Sequence, residues 1–297
     1  MIDLHMHSTN SDGTDSVLDL LKKAESMKLD YISITDHDNC NGYEELKNID
    51  ISKYYSGKII PGIEIKCSHG KHLIEVLGYN IDTDKMKKWS DEYYKDKSRD
   101  KLQMKYFDML YDACIKMGLE MKNKEDIEWN PVKGWASGTI YHEIKSHPEN
   151  ESRVPADMWE EFDTFSKKYC ADPNCPLYID KSLDYPTTEY IVQVVKDCGG
   201  LAFLPHLFIY KWTDEKEKLI DEILGKYDVD GIECMHSTFT DEQIEYLTNL
   251  CKERGYLMSG GSDYHGKNKP NIEMAIGKGN LKIEKEMIKP WANKFIN

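Results

Sequence analysis

Short apolar runs alternate with amphipathic, helix-length segments at both ends of this 297-residue chain, and the runs stop on histidine or acid. Ile2, Leu4 and Met6 alternate with Asp3, His5 and His7, a period of two. That pattern reads as a strand with two imidazoles on one face, their Cα atoms about 7 Å apart. Asp15 or Ser16 can then cap a helix to about Lys28, with Val17, Leu20, Leu21 and Ala24 along one side. Further strands are expected over 31–35, 59–65, 73–79, 201–204, 231–235 and 256–259, with a short one at 273–276. Helices fall between them at 42–48, 187–198, 214–226 and from Thr240 or Asp241 to about Arg254. This order implies an α/β fold, a parallel sheet or barrel with helices outside, whose working residues gather at the carboxyl ends of the strands.

Those ends carry His5 and His7, then Asp36, His37 and Asp38, then Glu64, His206, His236, and Asp263 with His265, while His72 precedes the strand at 73–79. Each has an ordinary reading. A His-x-His pair is commonly a packing feature, His72 a solvated loop residue, and Pro205-His206 a strand closure. Asp263-Tyr264-His265 can be an Asx-type cap, His236 a core or supporting residue, and Asp38 a group that orients His37. The combination points elsewhere, because seven of the ten histidines flank expected strand ends. Imidazoles mixed with carboxylates, without thiolates, suit two or three divalent ions such as Mn, Fe or Zn. Paired ions about 3.5–4 Å apart need a bridging carboxylate, and Glu64 is placed to supply it. Gly13, Gly62 and Gly261 let backbone approach the ions closely.

Between about 83 and 183 the character changes to Lys, Glu, Asp, Tyr and Trp with few strand-like runs. Amphipathic helices are expected over 84–117, 125–147 and 155–170. The chain therefore divides into a main domain, 1–82 and 184–297, and a helical cap insertion, 83–183. The net charge of −14 argues against binding along long duplex nucleic acid, which needs a basic surface. A small phosphorylated substrate remains compatible, since bound cations reverse the local field. Only Arg99, Arg153 and Arg254 are available for a bidentate phosphate clamp. The eight cysteines include no Cys-x-x-Cys pair and read as free thiols. With no run of about eighteen apolar residues and no basic-then-apolar leader, no membrane association and a cytoplasmic location are expected.

Four motifs resemble the PHP family, the polymerase-and-histidinol-phosphatase type of phosphoesterase. They are His5-Met6-His7 with Ser11-Asp12-Gly13, then Thr35-Asp36-His37-Asp38, Pro61-Gly62-Ile63-Glu64, and Gly261-Ser262-Asp263-Tyr264-His265-Gly266. They come in family order, and the resemblance covers about 1–82 and 184–297. It implies a distorted (β/α)7 barrel with a trinuclear site. His5, His7, Glu64 and Asp263 would hold one ion, Asp12, His37 and His265 a second, and Glu64, His72 and His206 a third. His236 matches a histidine that stands near the substrate phosphate, and Arg99 falls where the small-cap branch has an arginine. That branch acts on nucleoside 3′,5′-bisphosphates or trims short RNA from the 5′ end. Two departures stand out: Pro205-His206-Leu207 replaces Ala-His-Pro, and Ser137 to His142 lacks the arginine of the branch's Arg-x-His pair. Metal-activated water attacking phosphorus, with His236 and Arg99 as catalytic residues, is the expected chemistry. The alternatives are an amidohydrolase-like enzyme with a bridging carboxylated lysine, and a non-catalytic metal-binding module.

Overall fold

Eight strands in two sheets form the frame of the computed structural model, which describes residues 1–132 and 134–292. β1 (Ile2–Met6), β2 (Tyr31–Ile34) and β3 (Lys58–Ile59) make a parallel sheet in that order. β4 (Gly62–His69), β5 (His72–Tyr79), β6 (Leu201–Leu204), β7 (Gly231–His236) and β8 (Leu257–Gly261) make the other. The second sheet is mixed: β4–β5 and β5–β6 are antiparallel, β6–β7 and β7–β8 parallel.

Three strand expectations change. The strand expected at 59–65 is broken, because Pro61 has no N–H to donate and separates β3 from β4. β5 turns straight back on β4 across Gly70-Lys71, with Gly70 at φ +60. A two-residue loop of this kind closes hairpins, whereas a parallel partner needs a crossover of a dozen residues. The segment at 273–276 is not a strand; it contributes one bridge, Glu273 to Gly277.

The two sheets meet at the carboxyl ends of β1, β2 and β8 and the amino end of β4. Asp263 N–H donates to His5 O at 2.8 Å and His7 N–H to Tyr264 O at 2.9 Å, joining β1 to the end of β8. Asp38 N–H donates to Glu64 O at 2.8 Å, joining the end of β2 to β4. The candidate site lies on these seams.

The helices are α1 (Val17–Ser26), α2 (Asn41–Leu46), α3 (Thr83–Tyr94), α4 (Arg99–Lys116), α5 (Ala136–Lys145), α6 (Ala156–Glu160), α7 (Phe162–Thr164), α8 (Thr188–Asp197), α9 (Lys216–Lys226), α10 (Asp241–Arg254) and α11 (Lys289–Ala292). Ser16 caps α1 by accepting from Asp19 N–H, and Thr240 with Gln243 forms a capping box on α10. The apolar stripes of α1, α8 and α9 bury against the strands in the main core. A separate apolar cluster, including Phe107, Leu110, Ile140 and Phe165, is built from residues 106–179. All eight cysteines are free thiols. No helix among the described residues is long and apolar enough to cross a membrane.

Candidate metal centre

β1 is buried on both faces, so its imidazoles enter the interior: His5 and His7 are both fully shielded. β8 lies so close that a Cβ at Gly261 would sit 2.4 Å from the His5 backbone nitrogen. A side chain there has to push the two strands apart. Gly261→Ala is therefore expected to displace His5 and lower activity by at least about tenfold. Kinetics compared with a thermal melt of the same sample checks this; unchanged kcat/KM would contradict it.

Three groups of donor atoms converge, each with its atoms within 4.8 Å of one another: His5, His7 and Glu64; His7, Asp12, His37 and His265; and Glu64, Glu75 and His206. Glu64 Oε2 lies 3.2 Å from His5 Nε2, 3.3 Å from His7 Nε2 and 3.3 Å from His37 Nδ1. Its other oxygen, Oε1, lies 2.8 Å from His206 Nε2. The carboxylate is thus split between two groups. Asp12 Oδ1 is 3.1 Å from His265 Nε2, and Asp263 Oδ1 is 3.5 Å from His7 Nε2. Two ligands each about 2.1 Å from one ion, at tetrahedral to octahedral angles, lie about 3.0–3.4 Å apart. Most of these separations match that edge length. His7 Nε2, His37 Nδ1 and Asp12 Oδ1 are buried yet have no hydrogen-bond partner. Orphaned donors cost free energy unless something satisfies them. These features fit divalent metal binding.

Buried partners orient the ligands. Glu233, absent from the sequence-based site, accepts from His5 Nδ1 at 2.8 Å and from His206 N–H at 2.8 Å, which leaves His5 Nε2 facing the centre. His265 Nδ1 donates to Asp263 O at 2.8 Å and so turns its Nε2 to Asp12. Asp36 braces the loop after β1 by accepting from Ser8 N–H and Oγ and from Ser11 Oγ. His206 and Asp263 sit in the left-handed region at φ +33 and +58. Such backbone costs about 1–3 kcal/mol per residue and collects at functional sites.

The electrostatics keep the acids ionised. Burial pushes Glu64 up, but His5 and His37 hold it well below the usual carboxylate range. Burial likewise opposes ionised Asp263, and Lys269 with His236 overcomes it. Burial disfavours charge on His7, yet the carboxylates of Asp263 and Glu64 beside it lift the imidazole to about 9. Burial takes His37 the other way, down to about 4.

Of the expected site residues, His5, His7, Asp12, His37, Glu64, His206, Asp263 and His265 come together, and His72 does not. In the β4–β5 register Glu64 faces Leu77 and His69 faces His72, so His72 sits at the hairpin tip, five positions from the residue opposite Glu64. Five residues of strand span about 17 Å. His72 stacks on Trp212 at 3.8 Å, and its Nδ1 donates to Ala171 O. Glu75, which faces Lys66 across the hairpin, takes the third place beside His206. His236 also departs from expectation. Thr238 N–H donates to its Nδ1, so Nε2 carries the proton and faces Asp263 Oδ2 at 3.3 Å. The ring is 1 % exposed and held neutral by burial, and it contacts Asp263 rather than the walls of the open side.

That open side is a cavity of about 630 Å³ between the centre and α3–α5. Asp12, His37, Lys66, Tyr94, Arg99 and Trp135 are on its walls. Arg99 donates to Val132 O and Gly134 O and stacks on Trp135 at 4.2 Å, which holds its guanidinium at the wall.

Residues 3–240 match the PHP domain family. A 5′-3′ exoribonuclease of Haemophilus influenzae is 24% identical over 289 residues, covering 97% of each chain. A 3′,5′-nucleoside bisphosphate phosphatase of Chromobacterium violaceum is 30% identical over 274 residues, covering 89% of this chain and 87% of its own. Among solved structures, an amidohydrolase from Chromobacterium violaceum with bound sulfate superposes with a TM-score of 0.66 at 20% identity, covering 99% of this chain and 95% of its own, a likeness of fold. The match across four-fifths of the chain, together with the convergent imidazoles and carboxylates, makes this protein a member of the PHP domain family.

Proposed function

We propose that the protein is a metal-dependent phosphoesterase that hydrolyses phosphate esters of nucleotides or short oligonucleotides. The observation that carries this reading is Glu64, whose two oxygens face different donor groups in a pocket of buried, unpartnered ligand atoms. The relatives named as an exoribonuclease and a bisphosphate phosphatase support the same chemistry. His5, His7, Glu64 and Asp263 would hold one ion, Asp12, His37 and His265 a second, and Glu64, Glu75 and His206 a third. Imidazole and carboxylate donors without thiolate suit Mn, Fe or Zn. Divalent ions in such a set supply positive charge to phosphoryl oxygens and acidify water.

The chain's own residues do the rest. Glu233, Asp36 and His236 fix the orientation of the ligands. Arg99, locked to two carbonyls and a ring, retains free N–H donors for a phosphoryl oxygen as charge builds on it. The cavity beside it takes the nucleoside. The two sheets, bridged at both seams, support a distorted (β/α)7 barrel, and 83–183, with its own apolar cluster, supports a helical cap over it. The amidohydrolase-like alternative lacks its bridging lysine: Lys66, the nearest in sequence to Glu64, pairs with Glu75 at 3.3 Å.

The test is phosphate release from an aryl phosphate, a nucleoside 3′,5′-bisphosphate and a 5′-phosphorylated oligonucleotide, with Mn²⁺ and after chelation. Hydrolysis of at least one, lost on chelation and restored by metal, is expected. No metal-dependent release from any of the three would reject the reading.

A further inference from the structure

A second cavity, of about 240 Å³, borders the third donor group at Glu75, between the β4–β5 hairpin and residues 166–181. Its walls carry Lys66, Lys71, Lys167, Lys181 and Lys211, against one carboxylate, Glu75. This concentration of cations stands out in a chain of net charge −14. Glu75 is already committed to Lys66 at 3.3 Å and lies 3.4 Å from His206. Lys167 and Lys211 have partners in Asp163 and Glu161, but Lys71 and Lys181 form no ion pair among the described residues. Lys181 is half-buried, its Nζ 4.7 Å from the Tyr106 ring centre. Burial, with Lys66 nearby, pulls it below the ordinary lysine range. Trp212 lines the same cavity, and its indole N–H is buried without an acceptor. A half-buried cation and an exposed one, both without anions, beside an orphaned donor, are complementary to an anion with several acceptor oxygens.

The cavity also adjoins the centre. Glu75 is both its wall and a member of the third donor group, and Lys66 lines both this cavity and the larger one beside Arg99. We propose that the lysine-lined cavity is an anion subsite that receives a second phosphate of the substrate, distinct from the phosphate that is hydrolysed. The proposal rests on the phosphoesterase reading and deepens it, selecting substrates with two phosphates over monoesters. The second phosphate comes either from the same nucleotide, as in a 3′,5′-bisphosphate, or from the next nucleotide of a short strand. Lysines gathered here also draw such anions to a protein that otherwise repels them.

The test measures binding, so it does not depend on turnover. Chelated full-length protein is titrated calorimetrically with adenosine, adenosine 3′,5′-bisphosphate and a 5′-phosphorylated diadenylate. Without ions, the acids of the centre repel phosphate, so anion binding reports the lysine cavity. The bisphosphate, the dinucleotide or both should bind at least about tenfold tighter than adenosine, and Lys181→Gln should remove most of that difference. Lys181→Arg should restore it, and Lys71→Gln should weaken it. Preference for the bisphosphate alone assigns the subsite to a terminal monoester, and preference extending to the dinucleotide assigns it to an internal phosphate. No gain over adenosine, or equal gain in wild type and a Lys181→Gln protein with an unchanged melting profile, would overturn the proposal. Failure of metal-dependent hydrolysis in the separate activity assay would instead overturn the reading beneath it.

Discussion

Glu64→Gln is expected to leave a folded protein whose metal-dependent kcat/KM has dropped by about a thousandfold, a loss of about 4 kcal/mol in transition-state stabilisation. The amide has almost the shape of the carboxylate, so β4 and its hairpin with β5 should hold. What changes is charge and donor number. Glu64 Oε2 is within 3.3 Å of three imidazole nitrogens, and Oε1 is 2.8 Å from a fourth. Among the described residues, no other carboxylate belongs to two of the donor groups. A glutamine offers one neutral acceptor and an amide that points hydrogens at whichever group it faces. Cations held in the two groups would then lack a shared anion, and affinity in both would fall together. Steady-state kinetics over a Mn²⁺ titration, with a melting curve for each protein, measures this. Activity within tenfold of wild type at saturating metal would show that Glu64 does not bridge.

The second large effect separates Glu75 from His72. Glu75→Gln is expected to lose metal from the third donor group, lowering the ion content per chain by about one and kcat/KM by about a hundredfold, or about 2.7 kcal/mol. His72→Ala should keep the full metal content. The two side chains lie three residues apart on one strand, so a general disturbance of β5 would affect both. The register distinguishes them: Glu75 pairs across from Lys66, two residues beyond Glu64, while His72 is at the tip with Trp212. Elemental analysis of both variants after dialysis decides it. Metal loss in His72→Ala with retention in Glu75→Gln would reverse the assignment.

The difference between these two residues shows what was legible in the chain. The His-x-His alternation, the acids after β2 and the glycine-flanked Asp263 and His265 reach the centre because strand ends are visible in local patterns of apolar residues. Most helix bounds also follow from local signals, Ser16 and Thr240 among them. The third group depended on strand direction, which local pattern does not carry. Yet the seven residues between the strands expected at 59–65 and 73–79 are too few for a parallel crossover, and the observed turn is only Gly70-Lys71. Reading it so places residue 75, not 72, near Glu64. Glu233 was less accessible. It lies within an apolar strand, two residues after Gly231, and its contacts are an imidazole of β1 and a backbone N–H just past the end of β6. Nothing near it in sequence announces them. The family resemblance puts His236 near the substrate phosphate; its Nδ1 accepts from Thr238 N–H and its Nε2 faces Asp263.

Anomalous scattering from Mn²⁺-loaded crystals addresses the shared carboxylate directly. The expected map holds at least two manganese peaks, with Glu64 oxygens within about 2.2 Å of two of them and Glu75, not His72, beside the one nearest His206. A map with no peak in contact with Glu64, or with manganese bound only at surface acids, would contradict the account.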